Sequence, residues 1–435
     1  MKLYSTRNKN QFISFEQAVL KGLADDGGLF MPATIPQMDS KFYTEMKNKS
    51  FQEIGFEVEK KLLMDDIPEH ILQNIVENAF NFDIPLVKIE DNVYVLELFH
   101  GPTLAFKDFA ARFMSRLMSY FIRGADKKLT ILVATSGDTG SAVANGFYGI
   151  PGIEVIILYP SRKISTLQEK QMATLDKNIT ALEIDGTFDD CQRLVKQAFV
   201  DSDLREKLWL TSANSINIAR LIPQSFYYFY AFSRVANNQK NVVFSVPCGN
   251  FGNITGGMLA KRMGLPITKF IAATNANDIV PQYLQTGAYL PQPAKKTISN
   301  AMDVGDPSNW DRIMDLYGKS LEKLKQDVFP ASFSDEKTKD TIRQIFSGKS
   351  YVFDPHGAVG YLGLKKYFEK VKEKVVGVTL ATAHPAKFGD IVENEINEKI
   401  ELPPQLSACL DKEKKSIMLP GDFEAFKDFL MSQSG

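Results

Sequence analysis

The chain is poor in sulfur and in histidine. Its three cysteines, Cys191, Cys248 and Cys409, are scattered over 435 residues. That spacing supports neither a disulfide framework nor a paired zinc site. The four histidines, His70, His100, His356 and His384, stand far apart in sequence. A local pair of imidazole ligands is therefore absent, and no metal is expected. An excess of one charge is missing too. Fifty-one Lys and Arg residues face 52 Asp and Glu residues, for a formal net charge of −1. No global field draws such a chain to nucleic acid or to an anionic membrane, so neither is an expected partner. No apolar run approaches the roughly 20 residues of a bilayer-spanning helix. The opening Met1-Lys2-Leu3-Tyr4-Ser5-Thr6-Arg7-Asn8 lacks the apolar core of a secretory signal. These absences point to a reduced, cytoplasmic compartment.

What remains is ordinary globular composition, 44% hydrophobic and 24% charged. The length exceeds one compact core and calls for two or three domains. Residues 1–95 read as a mostly helical domain. Phe15 to Leu23, Ser50 to Leu63 and Ile67 to Phe80 carry helical apolar spacing. From there strands and helices alternate. Leu129 to Thr135, Ile153 to Tyr159, Ile179 to Ile184, Asn241 to Val246, Phe270 to Thr274 and Val375 to Leu380 are apolar runs of strand length. Helical stretches lie between them. This rhythm predicts an α/β protein with mainly parallel sheets covered by helices on both faces. Residues 96–235 are read as a smaller α/β domain and 236–435 as a larger one. Gln285 to Ser308 and Leu402 to Leu419 are the stretches expected to be loosely organised.

The candidate chemistry gathers at turns. His100-Gly101-Pro102-Thr103 leads into Leu104-Ala105-Phe106-Lys107-Asp108. From there Phe109, Ala110, Phe113, Met114, Leu117, Met118 and Phe121 keep helical spacing. Lys107 thus sits at the mouth of a buried helix. Apolar surroundings disfavour its charged form, and a neutral amine condenses with carbonyls. A solvated lysine is the plainer alternative. Gly249-Asn250-Phe251-Gly252-Asn253 joins a strand to a helix and exposes backbone N–H groups at the positive end of the dipole, which suits a phosphate. An ordinary glycine turn is again the alternative. Ser136-Gly137-Asp138-Thr139-Gly140 offers hydroxyls and N–H groups for an anion, although Asp138 opposes one. Ser212 to Arg220 combines amides, hydroxyls and an arginine, and by itself reads as a capped helix. Leu380 to Phe388 reads as a strand exit followed by a solvated Lys387.

In this order and spacing, these stretches resemble the threonine synthases, pyridoxal-phosphate enzymes of the tryptophan-synthase-β type of fold. So do Ala301-Met302-Asp303-Val304 and Thr382-Ala383-His384-Pro385. The resemblance covers nearly the whole chain. It implies two α/β domains behind a mostly helical N-terminal domain, and pyridoxal 5′-phosphate as cofactor. It implies that Lys107 carries the cofactor through an imine and later moves protons. Gly249, Asn250, Phe251 and Asn253 would hold the cofactor phosphate, and Thr382 the pyridine nitrogen. Ser136 and Thr139 would receive the substrate carboxylate. Asn214, Ser215 and Arg220 would clamp a substrate phosphate. The implied reaction turns O-phospho-L-homoserine and water into L-threonine and phosphate, in a monomer or homodimer. The contact made by Asp138 stays open, since the wider fold more often places asparagine there.

Overall fold

Two sheets, one mainly and one wholly parallel, form the α/β part of the chain. A computed structural model describes residues 1–236 and 241–433. One sheet has six strands in the order Val328–Ser332, Ile267–Thr274, Val242–Pro247, Val376–Ala381, Val93–Glu97, Leu86–Glu90. All neighbours are parallel except the edge strand Leu86–Glu90. The other sheet has five parallel strands in the order Ile417–Pro420, Ile179–Asp185, Ile153–Pro160, Leu129–Ala134, Trp209–Ser212. The central strands Val242–Pro247, Val376–Ala381 and Leu129–Ala134 are buried at every position. That is why they read as unbroken apolar runs: helices cover both faces.

The N-terminal region has the expected helices and, in addition, a sheet that local pattern does not show. It opens with a three-stranded antiparallel sheet in the order Asn8–Ser14, Lys2–Ser5, Phe30–Pro32. Asn8–Ser14 is exposed along almost its whole length, so it shows no apolar alternation to read. The expected helices follow as Phe15–Lys21, Phe51–Leu63 and Glu69–Ala79. Ser14 with Gln17 and Ser50 with Glu53 form capping boxes that set the first two starts.

The chain crosses between the sheets in ways local pattern does not show. Leu86–Glu90 and Val93–Glu97 precede the lysine yet belong to the six-stranded sheet. The late strand Ile417–Pro420 returns to the five-stranded sheet, where it pairs with Ile179–Asp185. The helix Phe423–Ser432 then packs Phe426 and Leu430 into that sheet's core. Cuts at 95/96 and 235/236 therefore part these segments from the sheets they join. Leu402 to Leu419 is also more ordered than expected, with a helix at Pro404–Leu410. Residues 287–299 do lack regular secondary structure.

The helix Lys107–Phe121 is the axis of the site. Phe109 is fully buried and meets the rings of Phe51, Phe80, Phe82 and Tyr227 at centroid distances of 4.9 to 5.8 Å. These contacts fix the helix against the N-terminal region and against the helix Phe226–Val235.

Candidate active site

The turn before Lys107 is held by the residue after it. Asp108 accepts hydrogen bonds from the Thr103 N–H (2.8 Å) and the Thr103 hydroxyl (2.6 Å). Gly101 lies so close that a Cβ there would stand 2.5 Å from the Asp108 carboxylate. Burial raises Asp108 to about 6, against the opposing effect of the Thr103 bonds. The far end of the chain braces the same stretch. Leu98 N–H donates to Ala381 O (2.9 Å), Phe106 N–H to Thr382 O (2.9 Å) and His384 N–H to Leu104 O (3.1 Å). The exit of the strand Val376–Ala381 thereby brings Thr382 beside Lys107, though the two are far apart in sequence.

Lys107 is half-buried and has no ion pair within 4.0 Å. Burial lowers its pKa to about 8; Asp138 opposes that shift, while Arg220 and Lys387 add to it. The amine is therefore available in neutral form near physiological pH.

The 249–253 loop fits an anion. None of its backbone N–H groups donates to another group among the described residues. Phe251, at φ 57°, takes the left-handed conformation that opens the helix Gly252–Arg262. A Cβ on Gly249 would stand 2.5 Å from the Ala301 carbonyl oxygen, so that loop packs directly behind it. The side chains of Asn250 and Asn253 are already engaged. Asn253 Nδ2 donates to Pro247 O (2.8 Å) and its Oδ1 accepts from Ile254 N–H (2.8 Å), which folds the loop on itself. Asn250 Nδ2 donates to the Ser215 hydroxyl (2.6 Å), and its Oδ1 accepts from Ser308 N–H (2.6 Å).

The structure thus brings Ser215 to the 249–253 loop. Arg220 is buried, with one Nη donating to Ala213 O (2.7 Å) and its Nε bonded to nothing. Burial lowers it to about 10, which leaves it cationic at neutral pH. An orphaned guanidinium donor in a buried site marks a place for an anion. Asn214 is spent differently. Its Nδ2 donates to Ala134 O (3.0 Å) and its Oδ1 accepts from the Ser212 hydroxyl (3.3 Å), so it braces two strand ends. Ser136 and Thr139 are half-buried, and Thr135 shapes their loop by accepting from Gly137 N–H (3.0 Å) and Gly140 N–H (2.8 Å).

Three supporting residues escaped the sequence reading. Lys387 is not solvated: its side chain has 0% exposure and pairs with Asp138 at 2.7 Å. Burial alone would raise Asp138, but Lys387 and Lys107 hold its carboxyl well below the usual range. The apolar flanks Pro385, Ala386 and Phe388 were the available signal. Arg312, at 0% exposure, donates to Ser215 O (3.0 Å), Ile216 O (2.6 Å) and Asn309 Oδ1 (2.8 Å), and so backs the 214–217 loop. His356 Nε2 accepts from Ala301 N–H (3.1 Å), which leaves its proton on Nδ1 to donate to Asp354 (2.6 Å). Nothing in their local spacing marked Arg312 or His356. Among the described residues no cluster of His, Cys, Asp and Glu could hold a metal ion.

An unpaired amine and a run of open N–H groups match an aldehyde that carries a phosphate, and the orphaned guanidinium of Arg220 suits a second anion. Family comparison agrees. The family model for the threonine synthase N terminus matches residues 2–80, and that for pyridoxal-phosphate-dependent enzymes matches residues 81–382. The C-terminal threonine synthase model matches residues 357–430. The chain belongs to the threonine synthase family. A threonine synthase from Escherichia coli is 45% identical over 433 residues, covering 99% of this chain and 100% of its own. The crystal structure of threonine synthase from Escherichia coli superposes with a TM-score of 0.93 at 45% identity, covering 100% of both chains. A pyridoxal-phosphate-bound threonine synthase from Brucella melitensis gives 0.93 at 36% identity, covering 100% of this chain and 99% of its own. The chain is a pyridoxal-phosphate-dependent enzyme of threonine synthesis. Its two helix-covered, mainly parallel sheets are the fold of that family.

Proposed function

We propose that the enzyme converts O-phospho-L-homoserine and water to L-threonine and phosphate, as a carbon–oxygen lyase with Lys107 as its catalytic amine. The observation that carries the reading is the isolation of Lys107. It is a lysine without an ion pair, lowered to about 8 by burial, with Asp138, Arg220 and Lys387 as the charges that act on it. The bound cofactor supplies an electron sink for charge that develops at the substrate's α-carbon. Lys107 would hold the cofactor through its amine and, when free, would take and return protons at substrate carbon. The open N–H groups of Gly249, Asn250, Phe251 and Asn253 hold the cofactor phosphate. The Thr382 hydroxyl would hold the ring nitrogen as a neutral partner and so moderate the sink.

Ser136 and Thr139 receive the substrate carboxylate. Arg220 and Ser215 take the substrate phosphate, and Asn214 keeps the loop in place behind them. Arg220's charge suits both the phosphate ester and the dianion that leaves. The proposal includes a cytoplasmic location, with a monomer or homodimer as the working assembly. Among the described residues no helix is long and apolar enough to cross a membrane.

Lys107→Ala tests the assignment. The variant is expected to lose the visible absorbance of lysine-bound cofactor and to lose turnover by about four orders of magnitude or more. A variant that kept either would remove Lys107 from the role.

A further inference from the structure

We propose that Lys387 is a positioning residue for Lys107: it claims the carboxylate of Asp138 and thereby leaves the Lys107 amine unpaired. The inference rests on Lys107 as the cofactor-bearing amine. Lys387 follows the strand Val376–Ala381, in the turn Pro385–Phe388. Its side chain is wholly enclosed. Nζ meets Asp138 Oδ1 at 2.7 Å and donates to Thr103 O at 2.8 Å. Asp138 opens the helix Asp138–Phe147 beneath the other sheet, and Gln168 Nε2 donates to the same carboxylate oxygen (3.0 Å). Gln171 Nε2 donates to Thr103 O as well (3.1 Å). One ammonium therefore ties the six-stranded sheet to the five-stranded sheet and to the turn that aims Lys107.

The charges around the pair set up a competition. Lys107 is faced by Asp138, by Arg220 from the helix Ile218–Leu221, and by Lys387. Lys387 is faced by Asp138, by Lys107 and Asp108 on the helix Lys107–Phe121, by His384 in its own turn, and by Cys409 on the helix Pro404–Leu410. Asp108 is occupied by Thr103, and burial holds His384 at about 4, hence neutral. Asp138 is then the carboxylate that two amines share, and it makes its ion pair with Lys387. A buried amine next to an unopposed carboxylate keeps its proton more firmly; one whose carboxylate is taken gives it up more readily. Lys387 also stops Asp138 from repelling an anionic ligand, since the pair is neutral as a whole.

The test reads the Lys107 amine itself, without turnover. Full-length protein freed of cofactor is exposed to trace acetic anhydride from about pH 6 to about pH 10, a range that brackets a depressed lysine. Acylation of Lys107 is followed by peptide mass spectrometry. In Lys387→Met the midpoint is expected to move up by about one pH unit, the size of an uncompensated nearby carboxylate's effect. In Asp138→Asn it moves down, and in the double variant it returns close to that of the unsubstituted chain. Lys387→Arg, which keeps the cation, leaves it in place. A Lys387→Met curve that coincides with that of the unsubstituted chain, or that moves the same way as Asp138→Asn, overturns the proposal. Removing one member of a buried pair can unfold a protein while removing both is tolerated. If Lys387→Met does not fold, Lys387→Gln, which keeps a polar donor beside Asp138 without the charge, takes its place, and a midpoint that coincides with that of the unsubstituted chain overturns the proposal. A different site of cofactor attachment would show in Lys107→Ala absorbance and would leave these acylation curves unchanged.

Discussion

Glu59 lies at 0% exposure on the helix Phe51–Leu63, and neither carboxylate oxygen has a partner. Burial pushes it well above its ordinary 4.5, so the native state holds a proton that the unfolded chain releases. The native state then binds more protons above pH 4.5, and stability falls as pH rises through that window. Glu59→Met removes the unsatisfied group and is expected to add about 1–3 kcal/mol, with the larger gain at high pH. Thermal unfolding at about pH 5 and about pH 8 checks this; a lower melting temperature at both would contradict it. Legibility at this scale was uneven. Lys107 stood out because apolar residues flank it and a helical pattern follows it. Lys387 had similar flanks, but what buries it is Thr103 and Asp138, residues distant in sequence. A lone charged residue does not announce a partner that the fold alone supplies.

Among elements, the 295–303 segment shows how a loop with only a single 3-10 turn, Asn300–Met302, is held to a working shape. Asp303 accepts from Thr297 N–H (2.9 Å), the Thr297 hydroxyl (2.7 Å) and Asn275 Nδ2 (2.9 Å). Asn277 Nδ2 donates to Lys295 O (2.9 Å), and Asn277 Oδ1 accepts from Lys295 N–H (2.7 Å). His356 completes the set by taking the Ala301 N–H, which sets the carbonyl behind Gly249. His356→Leu is expected to weaken cofactor affinity about tenfold, the effect of leaving one buried N–H unsatisfied. Turnover at saturating cofactor should change far less. Cofactor titration followed by absorbance measures the first and steady-state assay the second; an unchanged affinity would contradict the role. The parallel strands were legible because burial on both faces makes them continuous apolar runs. The loop was not, because bonds between polar side chains carry no period. The exposed strand Asn8–Ser14 was missed for the same reason: it has no buried face to pattern it.

For the whole molecule, the site is built by crossings. The lysine turn, the strand end at Thr382 and the helix start at Asp138 come from separate parts of the chain, and the fold brings them together at Lys107. The α/β class and the lysine and phosphate loops could be read from the sequence, since each is local. The return of Ile417–Pro420 to the five-stranded sheet could not, because parallel pairing over such a distance leaves no mark in the strand's own residues. The same topology explains why the site needs nearly the full chain, as the family match from residue 2 to residue 430 reflects. The central claim is the reaction itself. Purified protein, loaded with pyridoxal phosphate and given O-phospho-L-homoserine, should release phosphate and form L-threonine mole for mole. Phosphate accompanied by 2-oxobutyrate in place of threonine, or no phosphate release at all, would contradict it.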